Sequence, residues 1–358
     1  METMKKRIAV IPGDGIGIEV TREAVKVLDT LIRTRSLPLE LTHFDWGADK
    51  FLREGISLPE GAFEMFRREF SAILIGAMGD PRVPSNRHAA DILLGIRFGL
   101  DLYVNQRPVK LLDARYCPLK NCTEREVNFV VLRENTEGPY VGVGGNLKLG
   151  KRDEVAVTED MNTRKGVERI LVHAFEYARA RNLNKVCMSD KSNAMPHGHG
   201  LWQRTFAEVR ERYPEIDSRH LFVDTLAMEM VRDPSQFEVI VTSNLLGDIV
   251  SDLGAALIGG LGLSPSANLH PGQVSMFEPV HGSAPMIAGK DLANPMAAIL
   301  SAGMMLDYLG HSDEAQGLEM AVTEAVRQSV VSADLRGRLG TRAIGDWIAA
   351  RLTDFQVA

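Results

Sequence analysis

Apolar and polar residues recur along this chain in two periods, which together predict an α/β protein. Short β-branched runs that end at glycine or a polar residue predict strands, at residues 7–11, 72–75, 128–132, 185–188 and 237–242. Longer stretches between them have a helical period, and the clearest apolar stripe is formed by Val167, Ile170, Leu171, Ala174, Phe175 and Ala178. Charged residues lie opposite this stripe, so we expect it to face the protein core rather than a partner. Strands alternating with helices predict a largely parallel sheet.

The length of the chain favours two domains. It has 358 residues, and a typical domain has roughly 150. The sequence contains no internal repeat, low-complexity segment or Pro- and Ser-rich linker. We therefore expect a second lobe inserted into the first, with glycine-rich stretches at 138–150 and 254–262 where the chain crosses over or a loop arm protrudes.

Composition excludes several classes of protein. Lys and Arg number 41 against 47 Asp and Glu, a formal net charge of -6, so neither nucleic acid nor an anionic membrane is an expected partner. Only four apolar residues follow the basic residues 5–7, and no apolar run is long enough for a signal peptide core or a membrane span. These features predict a cytoplasmic protein. The three cysteines are odd in number and lack nearby metal ligands, which favours structural thiols.

A glycine-rich segment at residues 13–17 follows the first predicted strand and precedes a helical pattern. This placement suggests a dinucleotide-binding turn. However, the Rossmann fingerprint requires a third glycine where Ile18 stands, and no acidic residue follows at the right distance. A tight strand-to-helix turn beside a cleft is an equally good interpretation.

Two aspartates provide a sharper signal. Asp248 and Asp252 are four residues apart, just after a predicted strand, so they share one face of a helix where their charges repel. A hard cation such as Mg²⁺ or Mn²⁺ would relieve this repulsion, and Asp224 is a candidate third ligand. The alternative is a solvated helix face, although the apolar neighbours of the pair weigh against it.

Three arginines lie in or at the ends of apolar runs, namely Arg97, Arg107 and Arg133. A buried guanidinium requires an anion, and its planar fork matches a carboxylate, so the three would suit a small dicarboxylate substrate near a divalent metal. The alternative is structural pairing, with Glu134, Glu137 or Asp101.

Lys191 and Tyr140 are possible proton carriers, although neither is informative alone. A lysine acts as a base only where burial and neighbouring cations lower its pKa. The loop at 277–285, bounded by glycine and proline, contains His281 among small residues that allow close approach of a ligand. A lone histidine is also commonly structural.

The chain resembles the metal-dependent β-decarboxylating dehydrogenases of 2-hydroxy acids, which include isopropylmalate, isocitrate, homoisocitrate and tartrate dehydrogenases. The resemblance spans nearly the whole chain and is most similar to the isopropylmalate branch. It rests on residues 11–17, 132–140, 190–193, 244–252 and 278–285, with Asn294-Pro295.

This resemblance implies a homodimer of chains with two open α/β lobes and an active site in the cleft between the lobes. Residues 1–102 and 258–358 would form the cofactor-binding lobe, with a site unlike the Rossmann type. Residues 103–257 would form the inserted substrate and dimerisation lobe, with an arm near 135–160.

The resemblance also implies roles for individual residues. Arg97, Arg107 and Arg133 would bind the substrate carboxylates. Asp248 and Asp252 of one subunit, with Asp224 of the other, would hold Mg²⁺ or Mn²⁺, and Asp224 would also contact substrate. Tyr140 and Lys191 would be the acid–base pair, with Lys191 delivered across the dimer interface. The residues implied for cofactor binding are Asn193, His281, Gly282, Ser283, Ala284, Met286, Ile287 and Asn294.

The implied chemistry begins with Lys191 removing the hydroxyl proton while nicotinamide accepts hydride from C2. Decarboxylation follows, with the metal as Lewis acid, and Tyr140 protonates the resulting enolate. Leu93 and Leu94 precede Arg97 and offer an apolar surface to an isopropyl group, which favours isopropylmalate in leucine biosynthesis. Tartrate or D-malate stays an alternative substrate, since Ala90 replaces the glutamate common in isopropylmalate enzymes, and a non-catalytic regulatory subunit is a further alternative.

Two positions depart from the family pattern. Met286 stands where NAD-using relatives carry aspartate, and Met286-Ile287 also lacks the cation expected for the 2′-phosphate of NADP. NAD is the expected cofactor. Leu246 replaces an aromatic residue, a change expected to alter packing more than chemistry.

Overall fold

Strands and helices alternate through residues 5–354, the part of the chain that this computed structural model describes. The strands in this part are β1 (Lys6–Ile11), β2 (Leu39–His43), β3 (Ala72–Ile75), β4 (Val104–Lys110), β5 (Asn128–Glu134), β6 (Gly144–Leu147), β7 (Val155–Thr158), β8 (Lys185–Asp190), β9 (Asp217–Phe222), β10 (Val239–Thr242), β11 (Pro265–Leu269) and β12 (Ser275–Pro279).

The α-helices in the same part are α1 (Ile16–Arg35), α2 (Ala48–Glu54), α3 (Ala62–Glu69), α4 (Arg87–Gly99), α5 (Arg164–Ala180), α6 (Gly198–Arg210), α7 (Val223–Arg232), α8 (Asn244–Leu257), α9 (Met296–Tyr308), α10 (Ser312–Arg327) and α11 (Thr341–Asp354). None of the helices described here has both the length and the hydropathy that a membrane span requires.

The chain forms two compact units, and the expected α/β class is confirmed. Of the described residues, the first unit contains 5–102, 110–124 and 255–354, and the second contains 103–109 and 125–254. In the first unit the strand order is β2-β1-β3-β12-β11, with all pairs parallel except β11 and β12. In the second unit the order is β4-β5-β10-β8-β9, and β5, β10, β8 and β9 pair in parallel.

The glycine-rich segment of the first unit forms a tight turn between β1 and α1. Gly13 and Gly15 have φ values of 79° and 53°, which favour glycine. A side chain at Gly13 would also collide with the backbone, because an ideal Cβ would lie 2.2 Å from the Ala77 carbonyl oxygen. Both conformation and space therefore require glycine here.

Asp14 fastens this turn to three other segments of the first unit. Its carboxylate accepts hydrogen bonds from the backbone N–H groups of Ala48 at 2.6 Å and Gly79 at 2.8 Å. It also lies 2.7 Å from Nε2 of His88, on the first turn of α4. Asp14 is 5% exposed and His88 is fully buried, so the group joins β1, α2 and α4 inside the protein.

The core of the second unit includes the predicted helical stripe. Its six apolar residues are all buried on α5, so the expected helix and its inward face are confirmed. Thr163 caps this helix by accepting a hydrogen bond from the backbone N–H of Gly166 at 3.0 Å. The helix contacts β5, β8 and β10, whose residues are largely buried.

Within the expected arm region, β6 and β7 form an antiparallel two-stranded ribbon with the register Gly144↔Thr158 to Leu147↔Val155. All eight of these residues are exposed, including apolar side chains at Leu147, Val155 and Val157. The last predicted strand, at 237–242, begins only at Val239 because Pro234–Gln236 forms a 3₁₀ turn just before it.

Candidate active site

Two aspartates and two arginines meet beside α8 in the second unit. Asp248 and Asp252 lie one turn apart on this helix, as the spacing predicts. Arg107 Nη1 lies 3.2 Å from Asp248 Oδ1 and 3.7 Å from Asp252 Oδ1, and Arg133 Nη1 lies 2.5 Å from Asp248 Oδ1. Both arginine side chains are at least nine-tenths buried, whereas Asp248 and Asp252 are 39% and 57% exposed. The carboxylates therefore stay accessible to a ligand.

The guanidinium of Arg133 is fixed from several sides. Its Nε and Nη2 donate to Oδ1 of Asn244 at 2.9 and 2.7 Å. Asn244 in turn donates through Nδ2 to the carbonyl of Glu137 at 2.8 Å. The guanidinium also lies 5.1 Å from the ring centroid of Tyr140. These contacts hold the arginine in a defined orientation, which bidentate recognition of a carboxylate requires.

Arg107 lies on β4 and is anchored by a hydroxyl of α8. Its Nη1 donates to Ser251 Oγ at 2.7 Å, and Ser251 Oγ donates to the backbone carbonyl of Asp248 at 3.0 Å. Arg107 and Arg133 thus both converge on Asp248. This arrangement favours the anion-binding interpretation of these two arginines.

Tyr140 belongs to the same cluster. It lies on the 3₁₀ turn Pro139–Val141, and its Oη donates to Asp248 Oδ2 at 3.0 Å. Burial raises the pKa of Tyr140, and the carboxylate of Asp248 acts in the same direction, while Arg133 opposes them. The phenol therefore keeps its proton at neutral pH and can donate it.

The donor set around α8 fits a divalent cation. Asp248 and Asp252 supply oxygen ligands on one face of a helix, the chemistry that Mg²⁺ and Mn²⁺ prefer. Burial raises the pKa of Asp252, with Arg107 opposing it. Within residues 5–354 of one chain, no three His, Cys, Asp or Glu side chains are grouped as a metal site. Further ligands would therefore have to come from substrate, water or a second chain.

Lys191 and Asp224 form a separate pair in the second unit. Lys191 follows β8, and its Nζ lies 2.5 Å from Oδ1 of Asp224 on the first turn of α7. The lysine holds the pKa of Asp224 below its usual range. The predicted base and the predicted third metal ligand therefore contact each other within one chain.

Arg97, Leu93 and Leu94 lie on α4 in the first unit. Arg97 Nη2 donates to Glu278 Oε1 at 2.9 Å, while its buried Nε atom has no hydrogen-bond partner. Glu278 also accepts a bond from Asn268 at 2.7 Å. Leu93 is partly buried against the core of this unit, and Leu94 is likewise half-buried.

The loop that the resemblance implies for cofactor binding also lies in the first unit. The backbone N–H of Ile16 donates to the Ser283 carbonyl at 2.8 Å, so the loop packs against the β1–α1 turn. Ala284 has a φ of +36°, a strained value for a residue with a side chain. Nε2 of His281 is buried and has no partner, and burial lowers the pKa of His281. A neutral imidazole with an unused polar atom fits a polar cofactor.

The other predicted cofactor residues vary in their surroundings. Gly282 is exposed, with open space where a side chain would project. Met286 is 82% exposed and Ile287 is half-buried. Asn294 is buried, donating to Asp334 at 3.0 Å and accepting from the Met296 N–H at 3.0 Å. Asn193 belongs to the second unit and is exposed.

Sequence reasoning assigned no role to several residues that shape these groups. Asn244, Ser251 and Glu278 hold the arginines, yet their partners lie 111, 144 and 181 residues away in sequence. It also missed the cation beside Met286, since Lys290 Nζ donates to the Met286 carbonyl at 2.9 Å. A lysine four residues after position 286 was the available signal.

Comparisons with known proteins agree with the motifs. The sequence pattern described as "Isocitrate/isopropylmalate dehydrogenase" matches residues 7–348. The chain is 43% identical to the 3-isopropylmalate dehydrogenase of Thermobifida fusca, covering 99% of each chain. It is 46% identical to that of Corynebacterium efficiens, covering 96% of this chain and 98% of the relative.

A solved structure extends the likeness to three dimensions. The structure of isocitrate dehydrogenase from Methylococcus capsulatus has a TM-score of 0.88 and 35% identity, covering 98% of this chain and 100% of that one. The pattern, the relatives and this structure each span nearly all of the chain. The protein is therefore an enzyme, a decarboxylating dehydrogenase, and the chain belongs to the isocitrate/isopropylmalate dehydrogenase family.

Proposed function

We propose that this chain catalyses the oxidative decarboxylation of (2R,3S)-3-isopropylmalate to 4-methyl-2-oxopentanoate and CO₂, with NAD and Mg²⁺ or Mn²⁺, in leucine biosynthesis. The observation that carries this proposal is the convergence of Arg107, Arg133 and Tyr140 on Asp248. The two curated relatives named above support the choice of substrate, since both are 3-isopropylmalate dehydrogenases.

The arginines bind and orient the substrate. A bidentate guanidinium holds a carboxylate in one plane, and fixing the reacting carbon in this way lowers the barrier to reaction. Arg107 and Arg133 have buried, anchored side chains and take one carboxylate. Arg97 binds the other through its guanidinium, which Glu278 holds in place.

Asp248 and Asp252 hold the divalent cation, and Asp224 of a second copy of the chain completes the site in a homodimer. His281 and the small residues that follow it hold NAD. When bound, NAD supplies the hydride acceptor, and the cation supplies positive charge against the negative charge that develops on the substrate oxygens.

Two side chains move protons. Lys191 accepts the proton of the substrate hydroxyl on the lone pair of its Nζ, and Asp224, whose Oδ1 lies 2.5 Å from Nζ, holds that nitrogen in place. Tyr140 protonates carbon after CO₂ has left. Its raised pKa suits this role, because the phenol keeps its proton until a strongly basic carbon appears.

Substrate choice depends on α4. Leu93 and Leu94 lie about one turn before Arg97, so an alkyl group of the substrate can pack on apolar surface there. Ala90 is exposed and offers no polar group beyond its backbone. An isopropyl group fits this surface better than a third carboxylate or a hydroxyl.

Initial rates test the proposal. Purified protein with Mn²⁺ is given 3-isopropylmalate, tartrate, D-malate or isocitrate, each with NAD and with NADP, and EDTA is the control. We expect NAD reduction with 3-isopropylmalate alone, abolished by EDTA and by Lys191→Met. Faster turnover of tartrate or D-malate would contradict the proposal that the apolar surface of α4 selects the substrate. No turnover of any substrate would contradict the catalytic proposal itself.

A further inference from the structure

A buried histidine holds the backbone of Lys191. His199 is the second residue of α6 and is 2% exposed. Its Nδ1 lies 2.8 Å from the backbone nitrogen of Lys191. An amide N–H can only donate, so Nδ1 must accept, and a neutral ring then carries its hydrogen on Nε2.

The opposite side of the ring faces a carboxylate. Nε2 of His199 lies 3.4 Å from Oδ2 of Asp160. The hydrogen bond from His199 holds the pKa of Asp160 below its usual range, so this carboxylate is charged. A charged acceptor beside Nε2 favours the tautomer that leaves Nδ1 free to accept.

Asp160 is itself fixed. Its Oδ2 accepts a bond from Asn162 Nδ2 at 2.8 Å, and Asn162 Oδ1 accepts one from Trp202 Nε1 at 2.8 Å. Trp202 is buried on α6, the helix that carries His199. The chain of contacts from Trp202 to His199 thus rests on rigid, packed groups.

The other polar groups around Lys191 are also bound. Its carbonyl accepts bonds from the N–H groups of Ala194 and Met195, at 3.0 and 2.9 Å. The N–H of Ser192 donates to Asp190 Oδ1 at 2.9 Å. With His199 on its own N–H, the peptide of Lys191 is held on both sides, and the direction of its Cα–Cβ bond is set.

We propose that His199 is a positioning residue for Lys191, and that Asp160 keeps it in the tautomer this task requires. The inference rests on the proposed role of Lys191 as the base. If His199 only filled the core, replacing it would affect the stability of the protein alone. His199 also aims Nζ of Lys191, which must reach the substrate hydroxyl within hydrogen-bond distance to take its proton.

Two substitutions at His199 form a matched test, since each replaces the imidazole with a carboxamide at a different distance from the backbone. The Oδ1 of asparagine can occupy the place of Nδ1 and accept the Lys191 N–H, whereas the longer glutamine places its oxygen nearer the position of Nε2. We expect His199→Gln to lower kcat by about 10- to 100-fold while KM for 3-isopropylmalate changes by less than about 3-fold. We expect His199→Asn to keep kcat within about 3-fold of the wild-type value.

Thermal unfolding of both variants separates positioning from folding. The inference is overturned if His199→Gln keeps wild-type kcat, or if kcat falls equally in both variants in proportion to their loss of stability. Wild-type protein without activity, or full activity in Lys191→Met, would instead reject the proposed function.

A second measurement tests the inference even if either variant fails to fold. Long-range ¹H–¹⁵N correlation spectra of the wild-type protein report which ring nitrogen of each histidine carries hydrogen. We expect the resonance of His199 to show hydrogen on Nε2 alone. Hydrogen on Nδ1 would overturn the inference, because that nitrogen could not then accept from Lys191.

Discussion

A methyl group added at Gly247 should displace Arg133. Gly247 is the fourth residue of α8, and an ideal Cβ there would lie 2.6 Å from both Cβ and Cγ of Arg133. Ordinary contact begins at 3.4 Å, so the pair would be about 0.8 Å too close. The crowded atoms lie near the backbone of β5, which pairs with β10 through Arg133 and Thr242. They cannot swing aside as the end of a flexible chain could.

Two opposing effects set the stability of Gly247→Ala. Alanine in a helix interior is favoured over glycine by about 0.5–1 kcal/mol. Overpacking a buried site costs about 1–3 kcal/mol. We therefore expect the free energy of unfolding to fall by about 0–2.5 kcal/mol. A guanidinium displaced by even part of this overlap should lower kcat/KM for 3-isopropylmalate by about 10- to 100-fold.

Gly317 provides the matched control. It lies within α10, and an added Cβ there would meet nothing within 4 Å. Gly317→Ala should raise the free energy of unfolding by about 0.5–1 kcal/mol and leave kcat/KM unchanged. Urea unfolding and initial rates measure both variants. If Gly247→Ala gains stability like the control and keeps wild-type kcat/KM, the argument that Gly247 makes room for Arg133 is refuted.

Three further predictions concern stability and metal binding. Asp14→Ala should lower the free energy of unfolding by about 3–5 kcal/mol in a urea titration, since it leaves two backbone donors and a buried imidazole without their acceptor. The control is Asp49→Ala, on the exposed face of α2. It should change the free energy of unfolding by less than about 0.5 kcal/mol in the same titration. Burial lowers the pKa of His173 to about 4, so the folded state resists protonation, and stability is lost as pH falls from about 6.5 to about 4. At pH 5 the free energy of unfolding should be lower by about 2 kcal/mol. His173→Phe should remove this part of the pH dependence. Asp252→Asn should weaken Mn²⁺ binding at least about 10-fold by calorimetry in the presence of substrate, and unchanged affinity would exclude Asp252 as a ligand.

The fold could be predicted where burial follows a regular period. The stripe on α5 repeats every three or four residues and proved to be buried. By contrast, β9 is made of Asp217–Phe222, and only half-buried or exposed side chains line it, so no apolar pattern marked it. It is the last strand in the order of its unit, and within residues 5–354 it pairs only with β8. Edge strands of this kind depend on their partner's backbone more than on their own sequence.

The candidate site could be predicted where its residues share one element. Asp248 and Asp252 lie one turn apart because helical spacing puts them there. The partners of the arginines were not predictable in this way. Glu278 reaches Arg97 across 181 positions, and Ser251 reaches Arg107 across 144. Such pairs are made by the tertiary fold, on which local periodicity carries no information.

Charge balance in the second unit leads to a final expectation about binding. Arg107 and Arg133 carry two positive charges, and Asp248 and Asp252 carry two negative ones, in contact with one another. A divalent cation alone, or a dianionic substrate alone, would leave two unbalanced charges beside these largely buried arginines, whereas both together keep the sum at zero. Each should therefore raise the affinity of the other, and the coupling must be reciprocal. Calorimetric titration of Mn²⁺ with and without 3-isopropylmalate, and of 3-isopropylmalate with and without Mn²⁺, measures it. We expect the same factor of about 5- to 150-fold in both directions. Equal affinities with and without the second ligand would show that the four side chains do not form one electrostatic unit.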